Sequence, residues 1–251
     1  MPRSHPPTLI TLALAAFRQA ELAPRGSRIL AAVSGGPDSM ALLHVLALVR
    51  GRLAFGLFAH GVDHGLRPRA GAELDQAQEL ARTLEVPFGR SSLRVPRGGN
   101  LQARAREARW EALNAAAGTV GADRIATGHH AEDRAETLLI RILRGTGPGG
   151  LAVLPPRAGN RIRPFYRARR SDIDAHLRRH RIPFSVDPSN ADPRFLRTRV
   201  RQEVLPLLES MSPQIVDHLC RLADDVAAAN GALLAGGGLA SPTQDEDCGA
   251  G

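Results

Sequence analysis

Arg28-Ile29-Leu30-Ala31-Ala32-Val33-Ser34-Gly35-Gly36-Pro37-Asp38-Ser39-Met40 is the stretch on which the reading of this chain turns. Arg28 to Val33 is a short, mainly apolar run, which predicts a buried strand. Met40 to Val49 is a longer one, which predicts a helix. Between them, Gly35 and Gly36 let the backbone approach a ligand closely. Pro37 suits the first helical position, where its missing N–H is no loss. A glycine-rich turn feeding a helix N-terminus is an anion site, because free N–H groups and the helix dipole point into it. Asp38 places a carboxylate beside the expected phosphates, a position suited to Mg²⁺.

The loop is not of the Walker type. That motif needs a lysine, and all 33 basic residues of this chain are Arg. The segment Ser34-Gly35-Gly36-Pro37-Asp38-Ser39 instead resembles the pyrophosphate-binding PP-loop of the ATP pyrophosphatases. An ordinary glycine-rich turn would need neither the two serines nor the aspartate.

Outward from the loop the chain alternates by type. Ala54 to Ala59 is predicted as a second strand, Glu73 to Leu84 as a helix and Val86 to Leu93 as an edge strand, since Pro87 cannot serve a central one. Asn100 is expected to cap a helix running to Ala117. Arg124 to Thr127 is a short strand and Ala131 to Leu143 a helix. Repeated β–α units predict an α/β fold, a doubly wound parallel sheet. Ligands of such sheets bind beyond the strand C-termini, where Ser34–Ser39, His60–Arg67 and Gly128–Asp133 fall. Later segments read as short helices at Ser171–His180, Val200–Glu209 and Pro213–Ala229, an Arg-rich helical C-terminal part. The expected organisation is a catalytic domain over 1–210, with 155–205 facing a polyanion, a helix over 211–235 and a disordered tail over 236–251.

Composition narrows the classes. The chain has 251 residues and 43% hydrophobic content, enough for one core with an appendage. No apolar run is long enough for a bilayer, and the N-terminus lacks a signal pattern, so a cytoplasmic protein is expected. Cys220 and Cys248 are too few for a disulfide framework or zinc site. The net charge is +8, yet Arg157 to Arg201 alone holds 13 Arg against four acids. An Arg-rich gene composition explains Arg in place of Lys but not this clustering, which reads as a polyanion-binding face.

Three motifs stay open when taken singly. Asp133 and Glu136 lie i,i+3 on one helix face; they suit a cationic ligand or a metal, or simply complement the helix dipole. Arg106 and Arg109 also share a face, fit to clamp a phosphate or to stand in solvent. His60 and His64 are spaced for a metal, but their glycines predict a loop and no further ligand is evident.

Together these segments resemble the tRNA(Ile)-lysidine synthetases of the PP-loop superfamily. The resemblance rests on the PP-loop, on His60-Gly61-Val62-Asp63-His64-Gly65-Leu66-Arg67, on Ala105-Arg106-Glu107-Ala108-Arg109-Trp110 and on Gly128-His129-His130 with Asp133 and Glu136-Thr137. It continues through Arg144-Gly145-Thr146-Gly147 and Asp187-Pro188-Ser189-Asn190 to Arg197-Thr198-Arg199-Val200-Arg201. Arg134 stands where Gln is usual, Trp110 replaces Tyr and Thr198 replaces Asn. By this resemblance the family's usual C-terminal tRNA-binding parts are expected to be short or missing.

The resemblance implies an adenine nucleotide alpha hydrolase-like fold and an ATP-dependent ligase with Mg²⁺. Its substrates would be isoleucine tRNA with a CAU anticodon and free L-lysine; a homodimer is compatible with it. It implies that Ser34, Gly35, Gly36, Pro37 and Ser39 hold pyrophosphate and that Asp38 carries Mg²⁺. Arg106 and Arg109 would contact phosphate or the adenylated base, and His130 would orient the reacting group. Asp133 and Glu136 would receive lysine's ammonium groups. Arg169, Arg170, Arg178 and Arg179 would face tRNA. The alternatives are another tRNA-modifying PP-loop ATPase, or a catalytically impaired nucleotide-dependent RNA-binding module. An iron–sulfur thiolase would need clustered cysteines.

Overall fold

A computed structural model describes residues 7–63, 70–93, 101–186, 192 and 194–235. Its contacts divide the chain into two units, Met1–His129 with Pro156–Asp187, and His130–Pro155 with Pro188–Gly251.

The first unit holds the sheet. Its elements are α1 (Leu9–Gln19), β1 (Arg28–Val33), α2 (Pro37–Leu53), β2 (Gly56–Asp63), α3 (Ala70–Thr83), β3 (Phe88–Ser92), α4 (Leu101–Val120) and β4 (Arg124–Ala126). After residue 156 come β5 (Arg157–Ala158), β6 (Arg161–Ile162) and α6 (Arg170–His180). The strand order is β3-β2-β1-β4-β6-β5, parallel except for the edge strand β5. Strand alternation sorts β1 between two cores. Ile29, Ala31 and Val33 pack among residues of α1, α2 and α6 on one face, including Phe17, Leu42, Leu46 and Leu177. Leu30 and Ala32 pack with Leu113 and Ala117 of α4 on the other. The sheet is therefore covered on both faces, the doubly wound arrangement expected. Its order reverses between β1 and β4, and there the PP-loop and Gly128 leave the sheet.

Two expectations are corrected. His60 to Asp63 is not loop but the second half of β2, paired with both β1 and β3. Its glycines serve packing rather than turning. A Cβ on Gly61 would lie 2.6 Å from the Leu74 side chain, and one on Gly89 of β3 would lie 2.7 Å from the His60 ring. His60 is buried, its Nε2 is 2.8 Å from Ser91 Oγ, and burial lowers its pKa. His64 to Arg67 lie outside the described residues, as do Asn100, Asp187 to Ala191 and the tail over 236–251. Second, α6 starts one residue before Ser171. Arg169 is its N-cap, and the Asp172 carboxylate accepts the Arg169 backbone N–H at 2.8 Å. The edge hairpin β5–β6 and the first helix α1 had no expected counterpart.

The second unit is helical. It contains α5 (Ala131–Leu143), a 3₁₀ turn (Pro148–Leu151), α7 (Leu196–Arg199), a π-helical stretch (Val200–Val204), α8 (Leu205–Met211) and α9 (Ile215–Ala235). Ala131 and Ala135 of α5 pack on Leu205, Val216 and Cys220. Arg134, fully buried, donates to Asp224 on α9 at 2.6 Å. Pro206 has no N–H for the ordinary helical bond. The helix widens just before it, where the Leu205 N–H reaches back to Val200. Among the described residues no helix is long and apolar enough to cross a membrane.

Candidate functional site

In the first unit, the turn after β1 is shaped by its neighbours. Gly35 has φ +82°, and a Cβ there would lie 2.5 Å from the Glu73 carbonyl oxygen. Both the conformation and the space exclude a side chain. Gly36 is the N-cap of α2 and caps it with no side chain, which leaves first-turn N–H groups for an anion. The Ser39 hydroxyl accepts the Ser34 N–H at 3.1 Å and donates to the Gly36 carbonyl at 3.0 Å; the two serine hydroxyls are 3.3 Å apart. The Gly35 carbonyl accepts the Ser185 N–H at 2.9 Å. From β4, Gly128 comes so close that a Cβ would meet the Asp38 carbonyl at 2.8 Å. Four chain segments thus fix one backbone cradle.

Asp38 stands half-buried in the first turn of α2, with Arg170 of α6 at 4.0 Å. The same offset recurs further along, where His44 and His176 are 3.0 Å apart. Helices α2 and α6 therefore run side by side in one direction, and both N-termini lie at the loop. Burial drives the pKa of His44 down to about 4, aided by His180; His176 falls to about 4 by burial and by His44, His180 and Arg179.

The cradle fits the phosphates of a nucleotide. It combines backbone donors, two hydroxyls and an uncapped helix end, and a Cβ on Gly36 would meet only the Ser34 hydroxyl, at 3.6 Å. No group of three or more His, Cys, Asp or Glu among the described residues is arranged to hold a metal. A Mg²⁺ ion at Asp38 would draw its other ligands from phosphates and water, as this ion ordinarily does.

Arg106 and Arg109 lie on α4. Burial lowers the pKa of Arg109 from its usual value, and the guanidinium has no hydrogen bond or ion pair with a described residue. By accessible surface the Arg109 side chain is half-exposed, so its guanidinium is open to an anionic ligand. On the same helix Trp110 carries Arg161 stacked at 3.9 Å, a contact the sequence did not announce.

In the second unit, the carboxylates expected to receive lysine already have partners. Glu136 is buried and accepts from Arg197 Nε at 2.9 Å and from Arg201 Nε and Nη2 at 2.6 and 2.8 Å. Asp133 accepts from Arg197 Nη2 at 3.1 Å and from the His130 N–H at 3.0 Å. His130 is buried, with Nδ1 2.9 Å from Glu132. Sequence reasoning missed Arg197 and Arg201; their i,i+4 spacing was the available signal. The four arginines expected to face tRNA lie at the two ends of α6. Arg169 and Arg170 are half-buried at its start, while Arg178 and Arg179 are exposed in its last turn, about 13 Å along the axis.

The PP-loop domain family matches residues 11–208. The tRNA(Ile)-lysidine synthase of Thermobifida fusca is 41% identical over 226 residues, covering 88% of this chain and 69% of that protein. That of Thermotoga maritima is 36% identical over 202 residues, 78% of this chain and 49% of the relative. That of Pseudomonas aeruginosa is 39% identical over 207 residues, 80% and 46% respectively. The chain spans about half the length of most such relatives. Among solved structures, the U34-tRNA thiolase NcsA of Methanococcus maripaludis, with its [4Fe-4S] cluster, superimposes with a TM-score of 0.72 at 17% identity, covering 87% of this chain and 78% of the thiolase. That likeness is one of fold.

Proposed function

We propose a function from one premise: the chain belongs to the PP-loop domain family and, within it, to the tRNA(Ile)-lysidine synthases. The reading is ATP-dependent conversion of the wobble cytidine of isoleucine tRNA to lysidine. The carbon-2 oxygen of cytosine is a poor leaving group. Its attack on the α-phosphorus of ATP releases pyrophosphate and leaves that oxygen bonded to AMP. The ε-amine of free L-lysine then attacks carbon 2, and AMP departs with the oxygen.

The observation that carries the reading is the cradle at Gly35, Gly36 and Gly128, whose donors suit a departing pyrophosphate. Ser34 adds a hydroxyl donor while Ser39 holds the turn through the Gly36 carbonyl, and Arg109, with Arg106, is the candidate counter-charge for phosphate. Mg²⁺ held by Asp38 would neutralise phosphate charge. Asp133 and Glu136 remain the proposed lysine carboxylates, now sharing Arg197 and Arg201. Free lysine carries one carboxylate and two ammonium groups, so a cluster alternating both signs matches it. Its ε-ammonium, with a pKa near 10.4 in water, must lose a proton before attack.

A thiolase reading is not favoured. The chain has two cysteines, and Cys220 is buried with its thiol directed at the Ala131 carbonyl, which supplies no cluster ligand set. The test is mass spectrometry of the wobble nucleoside after incubating tRNA(Ile) transcript with ATP, Mg²⁺ and lysine. A lysine adduct with equimolar AMP and pyrophosphate is expected. Pyrophosphate release that ignores tRNA overturns the reading.

A further inference from the structure

The last turn of α6 and the segment after it present a surface that neither the phosphate cradle nor the carboxylate pair uses. Arg178, Arg179 and Arg181 are exposed and have no carboxylate partner among the described residues; the Nε of Arg178 donates to a neutral acceptor, the Asp174 carbonyl, at 3.3 Å. Arg181 ends the helix in the left-handed region, φ 51°. The N–H of buried Ile182 then closes back on the Leu177 carbonyl at 3.0 Å, a helix stop that fixes the outgoing chain.

Three residues later the chain is tied down again. The Ser185 N–H donates to the phosphate-loop carbonyl of Gly35 at 2.9 Å, and its hydroxyl donates to Gln76 at 3.0 Å. Between the two anchors stand Pro183 and Phe184, and the Phe184 ring is 40% exposed. Val186 is 72% exposed. An exposed ring on a segment pinned at both ends, with Pro183 limiting the backbone between, has little conformational freedom left to lose on binding.

Three cations with no carboxylate partner among the described residues, followed by a fixed exposed aromatic one residue from a phosphate loop, is the composition of a single-stranded nucleic-acid platform. We infer that Phe184 stacks a base of the RNA substrate while Arg178, Arg179 and Arg181 meet its backbone phosphates. This rests on the proposed RNA-modifying function and adds where the RNA lies. A single ATP does not account for the surface, because on the proposed reading its phosphates would lie at the opposite end of α6, where Asp38 and Arg170 are 4.0 Å apart. A polyanion of several nucleotides does. The charge of the patch selects RNA over an apolar protein partner.

The test uses the full chain and a labelled anticodon stem-loop RNA, without ATP. Phe184→Ala should weaken RNA binding roughly 5- to 150-fold, the range for loss of one stacked base. Phe184→Tyr should stay within about threefold of wild type with a matching thermal melt, and Phe184→Ala, at a position 40% exposed, should still be fully folded at the binding temperature. Replacing Arg178, Arg179 and Arg181 with Gln should lower the slope of log affinity against log salt by about 2, at roughly 0.7 per phosphate. ATP affinity, measured separately by calorimetry, should not move in any variant. Phe184→Ala with unchanged RNA affinity overturns the inference. A loss confined to ATP affinity also overturns it and puts the ring against adenine. Wild-type protein that binds the RNA platform-dependently yet forms no lysidine refutes the proposed reaction while upholding the platform. Wild type that binds no RNA refutes both.

Discussion

The phosphate loop of the first unit and the carboxylate pair of the second both open a helix, but they are made of different materials. The loop is made of backbone. Gly35 and Gly128 are there because other chain segments leave no room for a Cβ, and the donors it offers are N–H groups of its own turn. The carboxylate pair is made of side chains. Its state is decided by Arg197 and Arg201, which lie more than sixty residues further along the chain. A backbone site can be read from a few adjacent letters because its chemistry is local. A side-chain site cannot, because its charge balance is settled by whatever the fold delivers to it.

The comparison breaks most readily at Gly35. Gly35→Ala forces an L residue to φ +82° and drives its Cβ against the Glu73 carbonyl. The loop cannot retreat without releasing Ser185. Pyrophosphate release with tRNA and no lysine should fall by about 100-fold or more, equivalent to roughly 3 kcal/mol of transition-state stabilisation, while far-UV circular dichroism stays native. Asp38→Asn should lose at least as much with no change in melting temperature. If Gly35→Ala retains release within a factor of ten, the turn is not the phosphate cradle, and the division between a backbone site and a side-chain site fails with it.

The same contrast explains what could be read in advance. The strand Arg28–Val33 and the helix Ala131–Leu143 were legible to the residue, because apolar runs and their stops are local signals. β2 was read four residues too short, since Gly61 looked like a turn and is in fact where Leu74 and Phe88 crowd the strand. The two-residue strands β5 and β6 carry too little pattern to announce themselves, and Arg157 and Arg161 looked like free charge. The π-helical stretch did have a signal, Pro206, which cannot donate to the turn before it. The carboxylate spacing of Asp133 and Glu136 was correct, yet nothing local named Arg197 and Arg201 as their partners. The same holds for Asp224 as the partner of buried Arg134.

A smaller effect sharpens the second site. Glu136→Gln removes the charge that Arg197 and Arg201 share, and buried ion pairs lose several kcal/mol when one member goes. Both arginines are about one-third exposed and can rehydrate, so a loss of about 1–2 kcal/mol is expected after that screening. Urea titration measures it. The Michaelis constant for lysine should rise, and that for ATP should not. Arg201→Gln should destabilise by a similar amount, and the double variant should be no worse than the worse single, the signature of one shared interaction. Additive losses would mean that Glu136 and Arg201 act separately, and the carboxylates would then be free to serve lysine without exchange.

The smallest effect lies along α2, the helix whose N-terminus forms the loop. A backbone site should feel pH only through its supporting helix, and α2 is joined to α6 by His44, His176 and His180, with Arg179 the other charge acting on His176. No carboxylate is among the groups that shift either histidine. In the unfolded chain His44 and His176 take up protons below about pH 6.5, whereas in the folded protein they stay neutral until about pH 4. Between these values the unfolded state binds more protons, so stability falls as pH falls. Full stability is present above pH 6.5, and the loss is complete only below pH 4. His44→Gln removes one titrating group while keeping a hydrogen-bonding side chain toward His176. Wild type should therefore lose about 1 kcal/mol more than this variant between pH 7 and pH 5, a figure reduced from full linkage because the cluster is partly open to water. Urea midpoints at the two pH values decide it, since carboxylate titration is common to both proteins and cancels. Parallel losses in wild type and variant would show that the α2–α6 joint does not titrate, and would leave the loop's support indifferent to pH.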